Sequence, residues 1–212
     1  MSIIAKTEAL PRSRNRMALK DEDGTVLAVF YRSVLKKAEI KEGTELTEEL
    51  YRVMVEMEKP LALEGVLFRL GRRPYAEKEL ERYCRRLKYE EPVLASVMEK
   101  VLRYGFVDDS DLSQRQAETL IGRGLSRTAV RQKLMLKGFD RDTVDRAMEA
   151  CDAEDEQSNA DALAETLWYR YRNEEPMKRR QKASAAMARK GFSWETIRSA
   201  LRKVSDGDDE LE

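Results

Sequence analysis

The apolar residues of the chain recur at helical spacing, and they do so in the same phase three times. Val144, Ala147, Met148 and Cys151 step i, i+3, i+4, i+7, which is one face of an α-helix. Val130 and Leu134 lie on one face of the helix before it, and Phe139 follows a Lys-Gly pair. The same order appears at Ala183, Met187, Phe192, Ile197, Ala200, Leu201 and Val204, and again at Leu80, Cys84, Tyr89, Leu94, Val97, Met98 and Val101. All these positions are apolar or aromatic, although the chain is only 42% hydrophobic, so the match is a repeat of about fifty residues. A front helix completes each unit: about 60–71 with Leu63, Val66, Leu67 and Leu70; about 109–123 with Leu112, Ala117, Leu120 and Ile121; about 157–173 with Leu163, Leu167, Trp168 and Tyr171.

The polar positions mark the helix ends. Gly138 and Gly191 suit the left-handed residue that closes a helix. Asp140 and Ser193 then suit the N-cap of the next helix. The repeated apolar residues are expected to form the core, Cys84 and Cys151 included, with Tyr89 and Trp194 packed beside the helix junctions.

The N-terminal part differs. Arg16–Lys20 and Thr25–Phe30 flank Asp21-Glu22-Asp23-Gly24 and read as a β-hairpin, with Met17, Leu19, Val26, Ala28 and Phe30 turned to one side. A short helix is expected near 32–38, and Thr47 caps another through about Glu58. The fold expected is mainly α: three tandem three-helix repeats in an elongated curved array, with a small N-terminal β-hairpin plus helix cap. The boundaries are 1–58 for the cap, 59–107, 108–153 and 154–204 for the repeats, and 205–212 for an acidic disordered tail. The cap is expected to cover the open end of the first repeat.

Composition narrows the function. The chain has 212 residues and 40 residues of each charge, but no histidine. That removes the commonest general base and metal ligand. There is no Gly-rich phosphate loop and no G-x-S-x-G motif, so no catalytic residue, cofactor or metal is expected. No apolar run reaches the roughly 18 residues of a membrane span, and MSIIAKTEALPRSR lacks the apolar core of a signal peptide, which places the chain in the cytoplasm. Charge is uneven: residues 59–104 hold 11 basic and 7 acidic groups, 154–204 hold 11 and 8, and the tail SDGDDELE is acidic.

The segments GLSRTAVRQKLMLKGF (124–139), PMKRRQKASAAMARKGFSWETI (176–197) and YGFVDD (104–109) resemble the RecX regulators of the RecA recombinase. The resemblance covers about 59–204, with a weaker likeness in the N-terminal hairpin and helix. Two positions depart from the family pattern. Leu112 and Ser113 stand where members often carry an aromatic, and Lys88 stands where the later copies have Gly138 and Gly191. The resemblance implies a protein that binds the groove of the RecA–DNA filament, restrains its ATPase and strand exchange, and promotes its disassembly.

Basic residues recur on the second helix of each unit, where i and i+4 share a face. The expected partner- or DNA-binding residues are Arg82, Arg85 and Arg86 in the first copy, Arg127 and Arg131 in the second, and Lys178, Arg179, Arg180 and Lys182 in the third. They would meet acidic patches of RecA, or phosphates of single- or double-stranded DNA. A monomer is expected, since both ends of the array are capped. The alternative reading is a helix-turn-helix protein acting directly on nucleic acid.

Overall fold

The computed structural model describes residues 2–11, 13, 15–151 and 155–209. The chain forms two compact units, 1–108 and 109–212.

In the first unit, strands β2 (Lys6–Ala9), β3 (Arg16–Lys20) and β4 (Val26–Tyr31) form an antiparallel sheet in the order β2-β3-β4. The expected hairpin is present, with Met17 opposite Phe30 and Leu19 opposite Ala28. Asp21 closes its turn by accepting from the Thr25 amide at 2.7 Å. Lys20 pairs with Val26, so Leu27 is an extra residue in β4. That bulge takes Val26 out of phase with Ala28 and Phe30, and Val26 is half exposed; Val29 is buried with its cross-strand partner Ala18 on the opposite face. β1 (Ser2–Ile3) and β5 (Glu45–Leu46) make a second small antiparallel pair around α1 (Arg32–Lys37).

The helix α2 (Glu48–Leu70) is longer than expected. Two helices were expected, ending near Glu58 and starting near Pro60, but one helix runs through both. Thr47 caps it by accepting from the Leu50 amide at 3.2 Å. Pro60 costs the helix one backbone hydrogen bond. Met54, Glu58, Ala62 and Val66 are nevertheless buried at steps of four across it, so tertiary packing holds the helix together. α3 (Glu77–Arg86) and α4 (Glu91–Arg103) complete the first repeat.

One core joins the sheet to the repeat, with Leu19, Phe30 and Val34 packed in the same cluster as Val66, Leu80, Cys84 and Val97. At its centre is a buried arginine–glutamate pair that the apolar pattern did not reveal. Arg16 is 1% exposed and Glu58 0%. The Arg16 guanidinium pairs with Glu58 and donates to the carbonyls of Leu87 at 3.0 Å, Lys88 at 2.7 Å and Val29 at 3.2 Å. It also lies 4.8 Å from the Tyr31 ring and 4.6 Å from the Tyr89 ring. Glu90 holds the same junction, accepting from the Val29 amide at 2.8 Å and from the Tyr51 hydroxyl at 2.9 Å. The hairpin therefore binds the turn between α3 and α4 directly. Lys88 in that turn has φ +57°, so the first copy keeps the left-handed junction without glycine, at about 1 kcal/mol.

The second unit contains α5 (Asp109–Gly122), α6 (Arg127–Lys137) and α7 (Arg141–Glu149), then α8 (Asp155–Arg170), α9 (Pro176–Arg189) and α10 (Trp194–Asp209). The punctuation is as expected. Gly138 has φ +110°, Asp140 accepts from the Thr143 amide at 2.8 Å, and Ser193 from the Thr196 amide at 3.1 Å. Thr143 also holds the Asp140 carboxyl below its usual range, through that amide and through its hydroxyl. The repeated apolar positions are buried in all three copies, except that Met98 and Val204 are half buried. Trp194 was expected to pack at its junction but is 67% exposed at the start of α10. Residues 205–209, expected to begin a disordered tail, continue α10. The expected boundary at 153/154 and the tail residues 210–212 lie outside the described residues.

Candidate partner-binding surface

The second helices α3, α6 and α9 share one plan. Each buries a single row, Leu80 and Cys84, Val130 and Leu134, or Ala183 and Met187, and leaves its remaining faces mainly to polar residues, with Met135 and Leu136 of α6 and Met177 of α9 exposed among them. Ser126 caps α6 by accepting from the Ala129 amide at 3.1 Å, and Pro176 starts α9 where a missing N–H costs nothing.

On α3, Arg82 donates to the Lys78 carbonyl one turn back at 3.0 Å. Arg85 is held between Glu81 at 2.9 Å and Glu91 at 3.0 Å, and these bonds, with Glu91 first, raise its pKa. Arg86 is exposed and has no side-chain partner among the described residues.

On α6, Arg127 donates to the carbonyls of Met148 and, at 2.9 Å, Cys151. These carbonyls lie at and just beyond the C-terminus of α7, which has no intrahelical donors left for its last turn. Arg131 pairs with Asp145 of α7. Both arginines therefore tie α6 to α7.

On α9, Arg179 donates to the Trp168 carbonyl at 2.9 Å and lies 4.0 Å from the Trp168 ring, closing the end of α8. Lys182 and Lys178, the latter at 3.3 Å, share Glu174, and those bonds lower the Glu174 pKa, Lys182 first. Arg180 is exposed without a side-chain partner among the described residues, as is Lys133 on α6.

These residues form two groups. Arg127 and Arg179 satisfy helix-end carbonyls, and removing them strands those carbonyls. Arg85, Lys178 and Lys182 sit in surface ion pairs, which solvent screens and which can be exchanged for another anion. With Arg86, Lys133 and Arg180 they are the cations available to a partner.

Periodicity also missed the contact between the second and third copies. The Ser126 amide donates to the Lys190 carbonyl at 3.0 Å, the Ser126 hydroxyl to the Gly191 carbonyl at 2.7 Å, and the Lys190 ammonium to the Arg123 carbonyl. This joins the start of α6 to the α9–α10 turn. The turn's spacing was visible in the sequence, but its docking partner was not. Among the described residues no group of three Cys, Asp or Glu is placed to hold a metal ion, and no helix is long and apolar enough to cross a membrane.

Comparison with known proteins starts in the third copy, where the family described as "RecX, third three-helix domain" matches residues 154–201. The regulatory protein RecX of Clostridioides difficile is 27% identical, over 99% of each chain. The chain is similar to regulatory RecX proteins along its length. The RecX protein of Deinococcus radiodurans is 28% identical over 88% of this chain and 90% of its own. A crystal structure of a regulatory protein RecX shares the fold at a TM-score of 0.60 and 23% identity, covering 94% of this chain and 98% of that one. RecX from Lactobacillus salivarius does so at 0.58 and 19% identity, covering 69% and 96%.

Proposed function

We infer that this chain regulates the RecA recombinase, binding the groove of the RecA–DNA filament and mainly inhibiting its ATPase and strand exchange. The observation that carries this reading is the likeness to regulatory RecX proteins along the whole chain, hairpin cap included. The three repeats 59–107, 108–153 and 154–204 act as successive docking modules. The available cations of the second helices, Arg86, Lys133 and Arg180 with the exchangeable Arg85, Lys178 and Lys182, meet acidic patches or phosphates. Arg82 lies one turn before Arg86 and shares its face. Arg127, Arg131 and Arg179 act by holding their helices in place.

The test is RecA's DNA-dependent ATPase, measured with substoichiometric amounts of this protein at physiological salt. Inhibition is expected. Arg86→Glu and Arg180→Glu together should relieve it while leaving thermal unfolding unchanged, whereas Arg127→Ala should lower the unfolding temperature. Absence of inhibition combined with tight, salt-sensitive binding to DNA alone would overturn this reading in favour of a direct DNA-binding protein.

A further inference from the structure

Two adjoining hollows on the first unit have no part in the surface described above. The first, about 290 Å³, lies against α2 and is lined by Tyr31, Leu61, Glu64, Gly65 and Phe68, with Ser33 at its edge. The second, about 330 Å³, is lined by Asn15, Arg32 and Lys36 and shares Tyr31 and Ser33 with the first. One hollow is largely apolar and aromatic; the other is cationic.

Three features make the first hollow more than a gap between side chains. Gly65 stands in the middle of a helix, where glycine is otherwise unfavourable, and a Cβ there would come within 3.4 Å of the Tyr31 hydroxyl. Gly65 lines the hollow, so a longer side chain there would project into it. The Tyr31 hydroxyl is fixed by the Tyr89 hydroxyl at 2.7 Å, so that wall is rigid. Phe68, in the same lining, carries the Arg72 guanidinium 4.8 Å from its ring centre but is still 68% exposed, so ring surface remains for stacking. In the second hollow the side chains of Arg32 and Lys36 are exposed and have no partner among the described residues.

We propose that these hollows bind one nucleotide unit, with its base stacked on Phe68 over Gly65 and its phosphate held by Arg32 and Lys36. An aromatic slot beside unpaired cations is the pattern by which proteins hold unpaired bases. Glu64 lines the hollow of Phe68 and Gly65 and not that of Arg32 and Lys36. The site therefore suits a ligand that is uncharged at its stacked end and anionic at the other, as a nucleotide is, better than a peptide with acids on both sides of its aromatic anchor. The Glu64 carboxylate accepts from the amino group of adenine, cytosine or guanine. The source is either a free nucleotide or an unpaired residue of a single strand.

The test uses the full chain without RecA, so its result is independent of the function inferred above. A fluorescein-labelled strand of twelve deoxyadenosines is titrated at low salt, beside an abasic strand of equal charge. Gly65→Leu, which fills the hollow with a better helix former, and Phe68→Ala should each weaken the deoxyadenosine strand by about five-fold or more. Neither should affect the abasic strand. Lys36→Glu should weaken both strands. Deoxyadenosine monophosphate is then titrated alone: a shift of the Gly65 amide resonance assigns the site to free nucleotide, and a shift only with the strand assigns it to a strand residue. Wild-type affinity in both hollow variants, with unchanged melting, overturns the proposal. So does a Gly65 shift produced by an acidic, tryptophan-containing peptide and by neither nucleotide probe. Should Gly65→Leu fail to fold, photocrosslinking of the wild-type protein to a strand carrying 8-azidoadenine decides. Crosslinks within 61–72 support the site, and crosslinks exclusively elsewhere overturn it.

Discussion

At the residue scale, the buried Arg16–Glu58 pair concentrates the electrostatic cost of the first unit. Burial pushes the Glu58 carboxyl up to about 7, against the pull of the Arg16 guanidinium, and its Oε2 has no hydrogen-bond partner among the described residues. The folded state therefore keeps a proton that the unfolded chain releases near its ordinary value of 4.5. The stabilising contribution of that proton is complete below 4.5 and is lost as pH rises towards 7. Glu58→Gln has no such proton, so the stability of the wild type relative to this variant should fall by about 3 kcal/mol between pH 4.5 and 8. Urea unfolding of both proteins across that range measures it, and a gap independent of pH would refute the assignment. Gly191 poses a steric question. It has φ +88°, and a Cβ there would lie 2.6 Å from the Ala129 Cβ and 2.7 Å from the Ser126 hydroxyl. Gly191→Ala should cost about 3 kcal/mol, strain and overlap combined. Gly105, at φ +69° with open space around it, isolates the strain alone: Gly105→Ala should cost about 1 kcal/mol. Equal losses in thermal denaturation would show that the Ser126–Gly191 contact is not tight.

At the element scale, α2 shows packing overriding a local signal. Proline is a strong sign of a helix start, and Pro60 after a capped helix reads as a break. The helix continues because Met54, Glu58, Ala62 and Val66 stay in phase on its buried side while Pro60 itself is exposed. Pro60→Ala restores a backbone donor and should raise stability by about 2 kcal/mol. A melting temperature at or below that of the wild type would mean that the proline's stiffening of the unfolded chain outweighs the lost bond. The second helices illustrate how far sequence can resolve a site. Their basic character was legible from residue type and i, i+4 spacing. Which cations are engaged was not, because Arg127 and Arg179 find their acceptors on other helices, 21 or more and 11 positions away respectively.

At the scale of the whole molecule, the chain divides at 108/109, next to the expected start of the second repeat. The first unit has a core that draws only on its own residues, from Ile4 to Val107. A fragment of residues 1–108 should therefore unfold cooperatively by itself. A broad, non-cooperative urea transition for that fragment would show that the first unit needs the second. Cys84 sits within that core, and burial pushes its thiol up to about 12. It should react with a thiol reagent only as the fragment unfolds, which gives the same experiment a second readout.

The sequence by itself determined the repeat, its helix ends and its core, because a helix face is written in residues three and four apart and a cap in one or two. It also carried the resemblance to RecX proteins, in segments of the repeats at 59–204. Tertiary structure alone decided the long α2, the buried Arg16–Glu58 pair, the docking of Ser126 on Gly191 and the division of the basic residues into ties between helices and cations at the surface. Each of these depends on which groups meet across tens of residues, and there the energy of burial and of unpaired polar groups outweighs any local preference.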